Sequence, residues 1–224
     1  HYYDYFPYGT VYIALLPGIF LNAIYGADYN SIHRFEFSIV LAGGVIALSA
    51  VFVFALARLQ FLNQWKSMTL ALYAGLGTGF LTTGSRALWQ QTGALLVTMV
   101  TLWSLEKWRA RRSKGWLVFL GFLLGFAFMV RPTMLSLGFV IFLYLVCAEK
   151  ELRATLTYFA PPGLAVLTLF SAQSMYLFGT WLPPYYLATL PESSEPLSGI
   201  MAMLFSPARG FFFWHPLFLF SGVY

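Results

Sequence analysis

The sequence predicts an all-α fold: a polytopic transmembrane helix bundle of about six full spans and the start of a seventh, with one juxtamembrane or re-entrant helix near 10–26. Three observations predict it. Hydrophobic residues make up 59% of the 224 residues and charged residues 9%, against roughly 45–50% and 25% in soluble domains. With so little charge, much of the surface must face lipid. Aromatic residues reach 20%, and Trp and Tyr favour bilayer interfaces. The few charges also fall at intervals that leave uncharged stretches of span length.

Those intervals place the elements in order, because a charge at a helix centre costs roughly 2.5–3.5 kcal/mol on insertion scales. Glu36 to Arg58 encloses 21 uncharged residues, and Lys66 to Arg86 and Arg86 to Glu106 enclose 19 each. Lys114 to Arg131 encloses 16, Arg131 to Glu149 encloses 17, and Arg153 to Glu192 encloses 38. A helix needs about 20 residues to cross the hydrocarbon core, so each interval suits one span. The longest fits a span near 157–178 followed by a polar outer loop, 179–209. A last apolar stretch runs from Gly210 to the end. Residues 10–26 are apolar but interrupted by Pro17, Gly18 and Asn22; they either cross or lie along the outer interface. We expect one transmembrane domain over 1–224, a fragment of a longer chain, with 1–35 as the end of an outer loop and a juxtamembrane segment.

Basic residues choose the sides. If successive loops alternate, nine of the 13 Lys and Arg share one face: Arg58, Lys66, Lys107, Arg109, Arg111, Arg112, Lys114, Lys150 and Arg153. The positive-inside rule makes that face cytoplasmic. The cluster 107–114 reads first as a topological anchor, with nucleic acid or anionic lipid as the alternatives; it is the one cluster that even loosely meets the dense basic face a nucleic-acid binder needs. A lone cysteine, Cys147, allows neither an internal disulfide nor a cysteine metal site.

The outer face receives Arg34, Arg86, Arg131 and Arg209, one per loop. Arginine presents a rigid fork of donors suited to phosphate, and charges at membrane edges are functional candidates. Arg131 ends one apolar stretch and Pro132 begins the next, a tight outer hairpin; a snorkelling arginine is the alternative. Arg86 lies in SRALWQQ, with Trp89, Gln90 and Gln91 following on the first helical turn. Arg209 lies between Pro207 and Gly210 in a loop that could turn backbone N–H groups to an anion. Asp4, set among Tyr2, Tyr3, Tyr5 and Tyr8, is the most suggestive base, because a base must reach the hydroxyl it activates. Glu192 and Glu195 read as solvated loop residues.

Other apparent motifs dissolve. GLGTG (75–79) lacks the Lys-Ser/Thr of a phosphate loop, and Gly75/Gly79 and Gly121/Gly125 have the spacing that lets membrane helices approach closely. His1, His33 and His215 lack partners at ligand spacing, so no metal is expected.

Taken in order, FPYGT leading into an apolar segment, SRALWQQTGALL, RPT in an outer hairpin and LFSPARGFFFWHPL resemble bacterial membrane glycosyltransferases of the GT-C fold. The nearest group is similar to the dolichyl-phosphate-mannose–protein mannosyltransferase superfamily. The resemblance implies a polyprenyl-phosphate-linked sugar as donor, no cofactor, and transfer on the periplasmic side of the bacterial inner membrane. It implies that Arg131, Arg86 and Arg209 bind donor phosphate and that Trp89, Gln90 and Gln91 line the donor pocket; the tyrosines around Asp4, Tyr3 and Tyr5 among them, are aromatics that could frame a sugar. It also implies that 10–26 does not cross, and that the base lies upstream of His1 unless Asp4 serves. A transporter or flippase for a lipid-linked or anionic solute, or a non-catalytic membrane scaffold, would use the same arginines differently.

Overall fold

A computed structural model describes residues 9–26, 34–60, 63–78, 80–187, 201 and 204–205. The chain divides into two compact units, His1–Leu187 and Ala188–Tyr224, and nearly all the described residues belong to the first. That unit's described residues are helical and include no strand. In order come α1 (Gly9–Tyr25), α2 (Arg34–Gln60), α3 (Gln64–Gly77), a π turn (Phe80–Gly84), α4 (Gln90–Arg111) and α5 (Lys114–Val130). A 3-10 turn (Pro132–Met134) then leads into α6 (Leu135–Leu143) and a π turn (Tyr144–Ala148). The short α7 (Leu152–Ala154) passes through a π turn (Thr155–Phe159) into α8 (Ala160–Phe178), and α9 (Pro184–Leu187) comes last.

Local chemistry sets the boundaries. Asn63 caps α3, its side chain accepting from the N–H groups of Trp65 at 2.9 Å and Lys66 at 3.3 Å, which satisfies donors the helix cannot. Thr78 ends the same helix in extended backbone. Arg112, at φ 49°, and Gly179, at φ 72°, end α4 and α8 in the left-handed conformation, a standard way to stop a helix.

The tightest seam joins α5 to α8. A Cβ added to Gly121 would overlap the Phe159 carbonyl oxygen, and one on Gly125 would sit 2.8 Å from that of Gly163. Only glycine lets the two backbones come so near, and in a membrane such close packing is what holds helices together. Gly75 does the same more loosely against Ala50, where an added Cβ would lie 3.3 Å away. Trp108, Leu117, Leu120, Leu124, Ile141, Leu145 and Phe159 form one buried cluster; Ala94, Val97, Ala127 and Val130 form a second. Bulky apolar residues also point outward: Val40, Leu169 and Leu16 are 71–77% exposed, as lipid-facing side chains are.

The expectation of six full spans is not supported. Two described helices, Phe35–Gln60 and Leu152–Phe178, are long and apolar enough to cross a membrane by length and composition. Gly9–Tyr25, Lys114–Val130 and Pro132–Ala148 are apolar but shorter. The reason is physical: a charge-free interval measures how much chain is uncharged, not how long one helix runs. The interval after Lys66 breaks at Thr78, leaving a 14-residue α3. The interval after Arg86 starts its helix only at Gln90, and α4 then runs on into charged residues up to Arg111.

Candidate active site

The two ends of this unit differ in kind. Alternating helix directions bring Gln90, Val130 and Phe178 to one end and Gln60, Arg111 and Lys114 to the other.

At the first end, the initial turns of α1 and α4 meet the last turn of α5. A Cβ on Gly9 would overlap the Val130 backbone nitrogen, and one on Gly93 would lie 3.1 Å from Thr10 Oγ1 and from Val130 Cγ1. Two small residues therefore let three helix termini converge. Arg131 is the next residue after Val130. It closes α5 in extended backbone (φ −157°, ψ 129°), as expected before proline, which disfavours helical backbone in the preceding residue. Its N–H donates to the Ala127 carbonyl at 2.9 Å, and its own carbonyl accepts from Met134 N–H at 3.0 Å. The backbone is thus held at both sides. The half-buried side chain has no hydrogen-bond or carboxylate partner among the described residues.

The carbonyl end of α5 is covered. The Tyr186 hydroxyl donates to the Phe128 oxygen at 2.8 Å and reaches that of Met129 at 3.4 Å. The Tyr186 ring packs against Phe128 and Phe170 at centroid distances of 5.2 and 5.5 Å. An anion approaching Arg131 therefore meets less of the negative helix end than an open terminus would present.

The segment with Arg86 is pinned to the start of α4. Buried Thr92 donates through Oγ1 to the Gly84 carbonyl at 2.7 Å, and that of Ala87 lies 3.0 Å from the same hydroxyl. Leu88 N–H donates to Ser38 Oγ on α2 at 2.9 Å. Arg86 itself is exposed, Trp89 at the cap of α4 is 56% exposed, and Gln90 and Gln91 are half-buried. These four and Arg131 therefore share one end. Asp4, Tyr3, Tyr5 and Arg209 lie outside the described residues.

Sequence reasoning missed a groove. It is an open, largely apolar hollow of about 840 Å³ that begins at Pro132, next to Arg131, and runs along α6 past Leu135, Gly138, Phe139 and Phe142. Its one signal is Gly138, a residue without a side chain inside the bulky run LSLGFVIFL. Thr92 and Tyr186 were also missed, since their partners depend on how the chain returns on itself.

At the other end Arg109 and Arg112 are paired with carboxylates. Arg109 reaches Glu106 at 2.8 Å and Glu149 at 3.6 Å; Arg112 reaches Glu149 at 2.5 Å and Glu151 at 3.9 Å. The Tyr144 hydroxyl also donates to Glu149. Tyr144 first, then Arg112, hold the Glu149 carboxyl below its usual range by hydrogen bonds to the charged form. Arg112 stacks on Trp108 at 4.6 Å. Among the described residues no group of three His, Cys, Asp or Glu could hold a metal ion.

The apolar helices and their two contrasting ends define the class: a helical integral membrane protein. Residues 31–176 match the family model of the dolichyl-phosphate-mannose-protein mannosyltransferases. That is well over half of the chain, which belongs to this family, and the family is one of membrane glycosyltransferases. No curated protein and no solved structure matches it.

Proposed function

We propose that the protein moves a sugar from a polyprenyl-phosphate donor to an acceptor hydroxyl, with inversion, at the Arg131 end, and that this end faces the periplasm across a bacterial inner membrane. One observation carries the reading. Arg131, held by its backbone and without a carboxylate partner among the described residues, stands at the head of an apolar groove. A fixed cation beside an apolar trough suits an amphiphile with an anionic head. Prenyl chain lies along Pro132 to Phe142, and phosphate meets the Arg131 fork.

The chemistry follows from charge. As the acceptor oxygen bonds to the anomeric carbon, the bond from that carbon to the phosphate oxygen breaks, and prenyl phosphate leaves with the electron pair. Arg131, with Arg86 as a further ligand, stabilises the charge that develops there. Trp89, Gln90 and Gln91 flank the donor sugar, and Tyr3 and Tyr5 are candidates to frame it. A carboxylate takes the acceptor proton; Asp4 is the candidate within this sequence.

The test is Arg131→Ala in the intact protein, reconstituted in vesicles with a prenyl-phosphate sugar. Transfer falls by about 100-fold or more, the size of losing a preorganised charge-stabilising donor, while thermal unfolding is unchanged. Transfer at the wild-type rate would overturn the assignment.

A further inference from the structure

The basic end carries a second cleft that has no role in the transfer chemistry. It is an open hollow of about 470 Å³ between α4 and α5, lined by Trp103, Ser113, Gly115, Trp116 and Phe119. Its rings are ordered edge to face. Phe52 meets Trp103 at 5.5 Å, Trp103 meets Trp116 at 5.4 Å, and Trp116 meets Phe119 at 6.0 Å. Such a wall is stiff and apolar, and small Gly115 leaves its rim open.

Charge above the wall is arranged in steps. Trp103, Lys107 and Arg111 lie four residues apart on α4, so they share one helix face. Each step rises about 6 Å along the axis. The face therefore passes from aromatic ring to ammonium to guanidinium over about 12 Å. The Lys107 ammonium already leans over the Trp103 ring, 5.4 Å from its centre.

These cations lack counter-charge. The carboxylates described at this end, Glu106, Glu149 and Glu151, pair with Arg109 and Arg112. No carboxylate among the described residues pairs with Lys107 or Arg111. The neighbouring Lys114 has a ring instead, with its ammonium 5.0 Å from the centre of Tyr158.

We propose that this cleft seats a phospholipid with an anionic headgroup: the acyl portion lies against Trp103, Trp116 and Phe119, and the headgroup meets Lys107 and Arg111. A neutral apolar ligand would leave the two cations uncompensated. A soluble anion would leave the aromatic wall uncovered. An anionic lipid satisfies both. The site binds lipid whether or not the protein transfers sugar, so it stands apart from the reading of Arg131.

The intact protein is placed in nanodiscs of phosphatidylcholine alone or with a minority of phosphatidylglycerol, and retained lipid is counted by native mass spectrometry after detergent release. Wild type retains phosphatidylglycerol in preference to phosphatidylcholine. Lys107→Gln with Arg111→Gln weakens that retention by about fivefold per cation, and Trp103→Ala weakens it with both charges intact. Lys66→Gln with Arg153→Gln removes two cations from the same end, away from the cleft, and leaves retention unchanged. Equal loss in both double variants means diffuse attraction to an anionic surface, and overturns the site. Absence of a phosphatidylglycerol preference in wild type overturns it without any variant.

Discussion

The paired arginines of the basic end and the unpaired arginines of the other end use one side chain for opposite purposes. Arg109 and Arg112 spend their donors on Glu106, Glu149 and Glu151 and so tie the α4–α5 turn to the segment after α6. Arg131 and Arg86 have no carboxylate partner among the described residues. A half-buried arginine such as Arg131 with no internal counter-ion keeps its donors available to an anionic ligand. What separates anchor from binding group is therefore the partner, not the residue type.

The sharpest way to break the comparison is to remove one arginine from each end. Arg131→Ala costs about 100-fold in transfer, whereas Arg112→Ala keeps transfer and lowers stability by less than about 1 kcal/mol, since its pairs are partly exposed. Transfer assays and thermal unfolding on the same preparations separate the two; matching profiles would erase the distinction. Gly121→Ala acts on the seam that joins the ends. Its new methyl meets the Phe159 carbonyl, so unfolding shifts by about 1–3 kcal/mol, as overpacking does. An unchanged unfolding temperature would mean that α5 and α8 are not held this closely.

Arg86→Ala is expected to lose about tenfold in transfer, near the low end for one charge-assisted hydrogen bond, because this side chain is exposed where Arg131 is half-buried. A loss larger than that of Arg131→Ala would exchange their roles. The smallest effect concerns pH. Glu149 has its carboxyl held below its ordinary value of 4.5, so its stabilisation is complete above that value and is lost as pH falls through the lowered one. Glu149→Gln is then less stable than wild type by about 0.5 kcal/mol near neutrality. The gap closes only in acid below 4.5; a gap that persists there would remove the carboxylate from the network.

The gathering of some polar residues at one end was legible in the sequence. Counting charges between apolar stretches placed Arg86, Trp89, Gln90, Gln91 and Arg131 on one face, and the described helix directions bring them to one end. Gly121 and Gly125 were legible as a packing motif, and they meet Phe159 and Gly163. Helix lengths were not, because breaks at Thr78 and at the π turns depend on local backbone geometry that composition does not encode. The groove beside Arg131 was hidden for another reason: its lining from Pro132 to Phe142 is open only because packing leaves that face of α6 uncovered.

By itself, then, the sequence determined that this chain is helical and lives in lipid, which edges carry its charge, and which family it joins. Those properties follow from transfer free energy and residue order, and both are additive along the chain. Only the tertiary structure decided which arginines are spoken for. Glu149 lies 37 residues from Arg112, and Tyr186 lies 58 from the carbonyl it covers. Such pairings are settled by how helices pack, since a hydrogen bond acts over about 3 Å of space and is blind to distance along the chain.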